Sequence, residues 1–383
     1  MIVLYIFLAI VILLLMVIIH EFGHYLAGKL LKFKINEFSV GFGPKLFSKK
    51  KKNGEVFSLR LIPLGGYCAF EGEEDTDEEP PAQEPQQPFE EMLRKDSVEK
   101  SPEVAPVDSV AAEAAAEQPR SFIHEKPWKR IIVLLAGGVF NILSAVIFSF
   151  FFILIVGYGT PRVQQLYYPE GSETPYCALQ VGDEILKVNG KKIDIMHSFE
   201  DLTANLTQDS TVTVTVKRGG KIVDVSLAVQ TIQTGEQTYT GFGFSSDRIY
   251  NNKRVGDAFL YAVPFTAKLS WTILGSFFQL ITGKLSLTQL TGPVGTVTMM
   301  ADVARMNWRN IFVLLPLIAA NLGLFNLLPI PALDGSKVVF TLIEWIRKKP
   351  VNRKVENYIH VVGLFVLLAF VVIVDIVGMI LRA

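Results

Sequence analysis

Cysteine is nearly absent: Cys68 and Cys177 are the only two in 383 residues and do not stand in CxxC spacing, so neither a disulfide framework nor a thiolate metal site is indicated. A metal ion would have to be held through nitrogen or oxygen. Excess charge of either sign is missing too, since 37 Lys and Arg balance 37 Asp and Glu. That balance removes the global basic field expected of a nucleic-acid partner and leaves local charge placement to indicate what the chain meets. Histidine is scarce, with five in all. What the chain does have is apolar surface: half its residues are hydrophobic and the mean hydropathy is +0.35, which suits a lipid bilayer better than an ordinary soluble enzyme.

Four stretches read as membrane spans: Ile2–Ile19, Ile131–Val156, Ile311 to about Leu328, and Tyr358–Leu381. The first carries no charge and as a helix would be about 27 Å long, close to the roughly 30 Å hydrocarbon core. With no basic run before it and no small-residue cleavage site after it, it reads as a retained span and not a signal peptide. Lys29, Lys32, Lys34 and Lys49–Lys52 follow the first span; Lys126, Lys129 and Arg130 precede the second; Arg347, Lys348, Lys349, Arg353 and Lys354 separate the third from the fourth. Lysine and arginine mark cytosolic flanks, so both termini and the loop from Gly157 to Asn310 fall outside. Phe259–Ile281 is nearly apolar but interrupted by Lys268. A crossing there would push the basic 347–354 loop outside, so the segment is expected to lie in the interface or pack on the bundle.

Between the first two spans, Phe38–Phe42, Leu46–Phe47 and Val56–Ile62 read as short strands of a β-hairpin region, with a turn at Asn53–Gly54. From Glu71 to about Gln118 the composition shifts to Glu, Asp, Pro, Gln and Ala, which predicts a disordered cytosolic tether with at most transient helix over Val107–Glu117. Outside the membrane, Thr211–Val216 and Ile222–Val229 alternate with period two around a glycine turn, and Ser198–Leu206 suggests one short helix. The string from Ala178 to Gly190, in which Gly182–Asp183 leads into a strand closed by Asn189–Gly190, resembles the signature of PDZ domains.

Chemistry concentrates in His20-Glu21-Phe22-Gly23-His24, an HExxH motif at the end of the first span. Residues four apart on a helix share a face, so two neutral imidazoles can hold one zinc ion while Glu21 reaches a water beside it. Ionisable groups at the end of a membrane helix are costly and therefore functional candidates. Catalytic zinc commonly takes three protein ligands and a water. Glu37 is the nearest acidic choice but sits on the hairpin. Asp334, in the string Asn326-Leu-Leu-Pro-Ile-Pro-Ala-Leu-Asp334-Gly335, is the better one, because Pro329 and Pro331 break the backbone ladder and can turn an aspartate inward. The first and third spans run in the same direction, which puts His20, His24 and Asp334 at one cytosolic depth. A transporter would more often show repeated halves, which are not found, and a receptor or scaffold would leave HExxH without a purpose.

HEFGH on a first span, a PDZ-like insert and NLLPIPALDG on a later span together resemble the site-2 protease family of intramembrane zinc metalloproteases, within it the bacterial regulators of sigma-factor signalling with one PDZ module. The resemblance covers nearly the whole chain except the acidic tether. It implies a polytopic α-helical protein of about four transmembrane helices in the bacterial inner membrane, with a membrane-associated β-hairpin and an extracytoplasmic PDZ-like α+β domain. The corresponding segments are 1–34 (first span), 35–70 (hairpin), 71–125 (tether), 126–158 (second span), 159–250 (PDZ-like), 251–305 (amphipathic region), 306–346 (third span and LDG motif) and 347–383 (fourth span). It also implies Zn2+ on His20, His24 and Asp334, Glu21 as base, and Asn321 and Asn326 holding substrate. Asn141, in Gly137-Gly-Val-Phe-Asn141, matches less tightly and could equally bond between helices. The implied substrates are single-span membrane proteins such as anti-sigma factors or remnant signal peptides. The implied hairpin, with Gly41-Phe-Gly-Pro44 and Leu64-Gly-Gly-Tyr67, would present them. The PDZ-like module lacks a recognisable carboxylate-binding loop, so no peptide-binding residues are assigned there; the resemblance implies a steric gate that admits only substrates already trimmed of their extracellular part, and a passive stabilising unit is the alternative.

Overall fold

The computed structural model describes residues 2–73, 121–234, 237–252, 255–284, 290–306, 309 and 311–382. Most of the expected acidic tether, residues 74–120 with the Val107–Glu117 stretch, lies outside the described residues. In chain order the elements are α1 (Ile2–Leu30), β1 (Ile35–Lys50), β2 (Val56–Phe70), α2 (Pro127–Ile155), β3 (Tyr158–Leu166), β4 (Glu184–Val188), β5 (Lys191–Lys192), α3 (Phe199–Thr203), β6 (Thr211–Arg218), β7 (Lys221–Ala228), β8 (Gln230–Thr234), β9 (Gln237–Gly241), β10 (Phe244–Asn252), α4 (Val255–Ile281), α5 (Pro293–Met306), α6 (Ile311–Leu327), α7 (Asp334–Arg347) and α8 (Arg353–Arg382). Among the described residues three helices are long and apolar enough to cross a membrane, over Val3–Leu30, Pro127–Ile155 and Arg353–Ile380. The expected third span is a shorter apolar helix of 17 residues, α6, because Pro329 and Pro331 follow its end and stop it.

The chain divides into two compact units, each described separately: residues 1–16, 139–325 and 368–383, and residues 17–138 and 326–367. In the first, β10-β3-β4-β6-β7 form a sheet with β5 on β4, beside a separate β8-β9 pair. The alternation in β6 turns Val212, Val214 and Val216 inward against Val163, Ile185, Val188 and Leu227. The β4–β5 turn is Asn189-Gly190, both with positive φ (47° and 78°), the backbone that a two-residue hairpin turn needs. Ser198 and Asp201 close a capping box at the start of α3.

Helix α4 buries Ala258, Ala262 and Thr266, spaced four apart. Thr266 meets the Ser149 hydroxyl of α2 at 2.8 Å, and Phe277 packs edge-on against Phe325 of α6. Lys268, the charge that interrupts this apolar segment, donates to the Met196 carbonyl at 2.8 Å and to the Asp201 carboxylate, so it ties α4 to the sheet domain. The α5 helix has no clear sequence signal apart from Pro293 at its first position. Its N-terminus is capped from afar by Asp375 of α8, which accepts from the Val294 and Gly295 amides at 3.3 and 3.2 Å.

In the second unit the strands expected over 38–42, 46–47 and 56–62 belong to two long, bent, paired strands, β1 and β2. Gly41 and Gly43 (φ 85° and 83°) allow the bend. Glu37–Val40 is registered with Val56–Leu59 on one side and with Gly66–Ala69 on the other. The 66–70 segment of β2 is a strand that the Gly65-Gly66 pair disguises in the sequence. Around it Tyr25, Phe33, Phe38, Phe70 and Phe122 build an aromatic core with Val133, Leu134 and Val338. Beside that core the Glu344 carboxylate of α7, 7% exposed, receives Arg130 of α2 at 2.7 Å and Arg353 of α8 at 3.2 Å.

Candidate metal centre

The uninterrupted helical stretch of α1 puts His20 and His24 one above the other, 8% and 7% exposed. Their Nε2 atoms are 3.2 Å apart. The His24 Nδ1–H donates to the Val133 carbonyl of α2 at 2.8 Å, which fixes the tautomer and leaves Nε2 with its lone pair facing the centre. Gly137, one turn further along α2, stands so close that a Cβ there would come within 2.3 Å of the His24 Nε2 and 2.6 Å of the His20 Cε1.

Asp334 opens α7. Its Oδ2 lies 3.0 Å from the His20 Nε2 and 3.2 Å from the His24 Nε2, and is fully buried with no hydrogen-bond partner. The chain reaches this position through Leu328–Leu333, where Ala332 adopts φ 76°, a left-handed conformation that costs a non-glycine residue on the order of 1–3 kcal/mol. Gly335 must be glycine, because a Cβ would stand 2.2 Å from the Leu328 carbonyl oxygen. The first turn of α7 is thereby pressed onto the end of α6, which aims Asp334.

Among the described residues these three side chains form one group able to hold a metal ion, their ligand atoms all within 4.8 Å of one another. Ligands at 2.0–2.1 Å from a tetrahedral zinc stand about 3.3 Å apart. The observed 3.0–3.2 Å edges and the buried Asp334 oxygen without a hydrogen bond fit that demand. Two imidazoles and one carboxylate also leave a fourth position for water. Glu21 follows His20 on α1, and its Cγ would be 3.1 Å from a Cβ placed on Gly66, so the 66–70 segment of β2 runs directly past it.

The asparagines are placed differently. Asn326 is half-buried in the last turn of α6, in the same unit as the triad. Asn321, exposed on α6, and Asn141, fully buried on α2, belong to the other unit. Gly66 entered the sequence reading only within the Leu64–Tyr67 string of the hairpin, and Gly137 only as part of a motif around Asn141, neither with a partner assigned. The signal available for both was a glycine pair beside an apolar run, which marks a close backbone approach without saying to what.

The family model "Peptidase family M50" matches residues 8–370. A Fusobacterium nucleatum chain, FN1322, which carries a provisional zinc-metalloprotease name, is 30% identical over 372 residues and covers 96% of both chains. The regulator of sigma-W protease RasP of Bacillus subtilis is 29% identical over 406 residues, with 94% of each chain covered, and the zinc metalloprotease RasP of Bacillus licheniformis is 26% identical with the same coverage. The chain belongs to peptidase family M50, the site-2 protease family. It is a metallopeptidase of the site-2 type and a membrane protein.

Proposed function

We propose that this peptidase cuts peptide bonds within or beside the transmembrane segments of single-span membrane proteins, with zinc held by His20, His24 and Asp334. The observation that carries the reading is the convergence of two imidazoles and one carboxylate, from α1 and the start of α7, on a point with tetrahedral spacing. Its metal is zinc, as in the names of its relatives. When bound, zinc supplies a Lewis acid that polarises a carbonyl oxygen and makes water a better nucleophile. Glu21 takes the proton of the attacking water and hands it to the leaving amine, with no covalent bond between enzyme and substrate. His24 keeps its ligating nitrogen unprotonated through the bond to Val133.

A helical substrate hides its scissile carbonyl in its own hydrogen-bond ladder and must be unwound to be cut. Pairing against the strand segment from Gly66 to Phe70 replaces the lost bonds, and the contact of Gly66 with Glu21 puts that segment beside the base. Residues that weaken a helix in the substrate therefore favour cleavage. The β1–β2 unit exposes Phe42, Leu46, Phe47, Leu61 and Ile62, which suits a hairpin dipping into lipid against protein. Asn321 and Asn326 are assigned to holding the substrate. Asn141, at 0% exposure, is better suited to the second reading of it, a bond between helices.

The architecture that goes with this activity has four spans in the bacterial inner membrane, both termini and the β3–β10 module outside, and the metal near the cytosolic face. The module, PDZ-like in its Gly182–Asp183 and Asn189–Gly190 turns, acts as a steric gate admitting substrates already trimmed of their outer part. The RasP relative is named for sigma-W regulation, which points to anti-sigma factors as substrates, with remnant signal peptides as a second source of single spans. The test is reconstitution of the purified protein in lipid with a single-span substrate. Cleavage inside the span that stops with a chelator and returns with zinc is expected; cleavage that ignores the chelator or falls outside the span overturns the proposal.

A further inference from the structure

The loop that leads to Asp334 has backbone bonds of its own, from the Ile330 amide to the Leu328 carbonyl at 2.7 Å and from the Leu333 amide to the Ile330 carbonyl at 3.1 Å, and neither involves Ala332. Ala332, two residues before Asp334, sits at φ 76° without being glycine. Its amide points away from the loop and donates to the Nδ1 of His360 on α8 at 3.2 Å. The Ser336 hydroxyl, 3.5 Å from the same nitrogen, spends its single hydrogen on the Leu333 carbonyl at 2.7 Å. Ala332 is therefore the donor that His360 answers, and the ring proton is left on Nε2. That Nε2 is buried without a hydrogen-bond partner. An imidazole retained on an apolar helix with one nitrogen unsatisfied is an unfavourable choice unless the other nitrogen is needed. The ring is seated on Phe340 of α7 at 5.6 Å between centroids. One turn along α8, Gly363 lies so close to Pro331 that a Cβ would come within 2.2 Å of the Pro331 Cβ. Helix α8 thus touches the loop at Pro331 and Ala332 and the first turn of α7 at Ser336, on both sides of Asp334.

We propose that His360 is a positioning residue for the metal site: as acceptor for the Ala332 amide it holds the left-handed bend that aims Asp334 at the two imidazoles. The inference rests on Asp334 being a ligand, and it adds α8 to the structure that sets the affinity of the site. Groups that orient a ligand from behind change metal affinity by about 10- to 100-fold when removed.

Zinc affinity is measured by competition with a chromophoric chelator on the purified full chain, for His360→Leu, His360→Asn, His360→Gln and Asp334→Ala, with thermal unfolding of the metal-free forms alongside. The Oδ1 of asparagine can take the place of Nδ1, whereas the Oε1 of glutamine reaches the place of Nε2. The expectation is that His360→Leu and His360→Gln bind zinc about tenfold or more weakly while His360→Asn stays within about threefold of the native chain. If His360→Leu does not fold, the asparagine and glutamine variants decide alone. Equal affinities for those two, or an unchanged His360→Leu while Asp334→Ala has lost its zinc, overturn the positioning role and leave the ligand assignment standing. Unchanged affinity in Asp334→Ala overturns both.

Discussion

Gly137 of the second helix lies against His24 of the first with no room for a single carbon between them: a Cβ would meet the His24 Nε2 at 2.3 Å. The imidazole cannot retreat, because its other nitrogen is bonded to Val133, four residues before that glycine on the same helix. Alanine at 137 favours the helix by roughly 1 kcal/mol in propensity, so its effect on folding and its effect on the site have opposite signs. Gly137→Ala is expected to weaken zinc binding at least tenfold, on the order seen when a ligand is disoriented. Elemental analysis after dialysis against a weak chelator checks it, and native zinc content in the variant would show that the two helices part more easily than this contact implies.

The roles proposed for Glu21 and Asp334 differ, base against ligand, and two substitutions expose the difference. Glu21→Gln keeps size and hydrogen bonding but cannot take a proton, so it should retain zinc while turnover falls by about 100- to 10,000-fold. Asp334→Ala should lose both. A Glu21→Gln enzyme with full turnover would remove Glu21 from the chemistry, whatever the metal content.

Much of this centre is legible in the chain itself. The i, i+4 histidines need only a helix, and the apolar run before them supplies one. Asp334 is legible because prolines end α6 just where an aspartate and a glycine follow, and Gly335 proves to be required by the Leu328 carbonyl. What the sequence hides is set by distant partners. The 66–70 strand is masked by two glycines, whose meaning comes from Phe42, Ser39 and Glu21 packed against them. Helix α5 is hidden because its cap, Asp375, lies about 80 residues away on α8. Lys268 looks like an interruption of an apolar segment until Met196 and Asp201 appear beside it.

The ion cluster at Glu344 is a second place where three helices meet. Arg130 and Glu344 are each 7% exposed, and the Glu344 carboxylate also accepts the Val351 amide at 3.1 Å. Replacing a buried pair by apolar groups can be neutral, but deleting one partner strands the other charge, at a cost of about 3–5 kcal/mol. Glu344→Ala should therefore destabilise the protein by that amount, and adding Arg130→Ala should recover part of it. Unfolding in detergent, followed for both variants, measures the coupling; additive losses would mean the pair is solvated in practice.

Asp183 gives the β3–β10 domain a pH dependence of its own. It is 1% exposed, and burial alone would push its carboxyl up. The Arg218 guanidinium, bonded through Nε at 2.9 Å and Nη2 at 2.6 Å, and the Gln180 amide at 2.9 Å outweigh that and hold it below the usual aspartate value of 3.8. A carboxylate whose pKa is lowered by folding contributes stability that is complete above its unfolded value and is lost as pH falls through its folded one. The domain should thus keep its full protection above about pH 4 and lose it progressively below. Amide exchange of β4 and β6 in the full chain reads this directly, because Asp183 precedes one strand and Arg218 ends the other. In Arg218→Ala the bond that lowers the carboxyl is gone while its burial remains, so protection should already be lower near neutral pH and the further loss below about pH 4 should shrink. An acid-side loss as large as in the native chain would mean that another acid governs the transition.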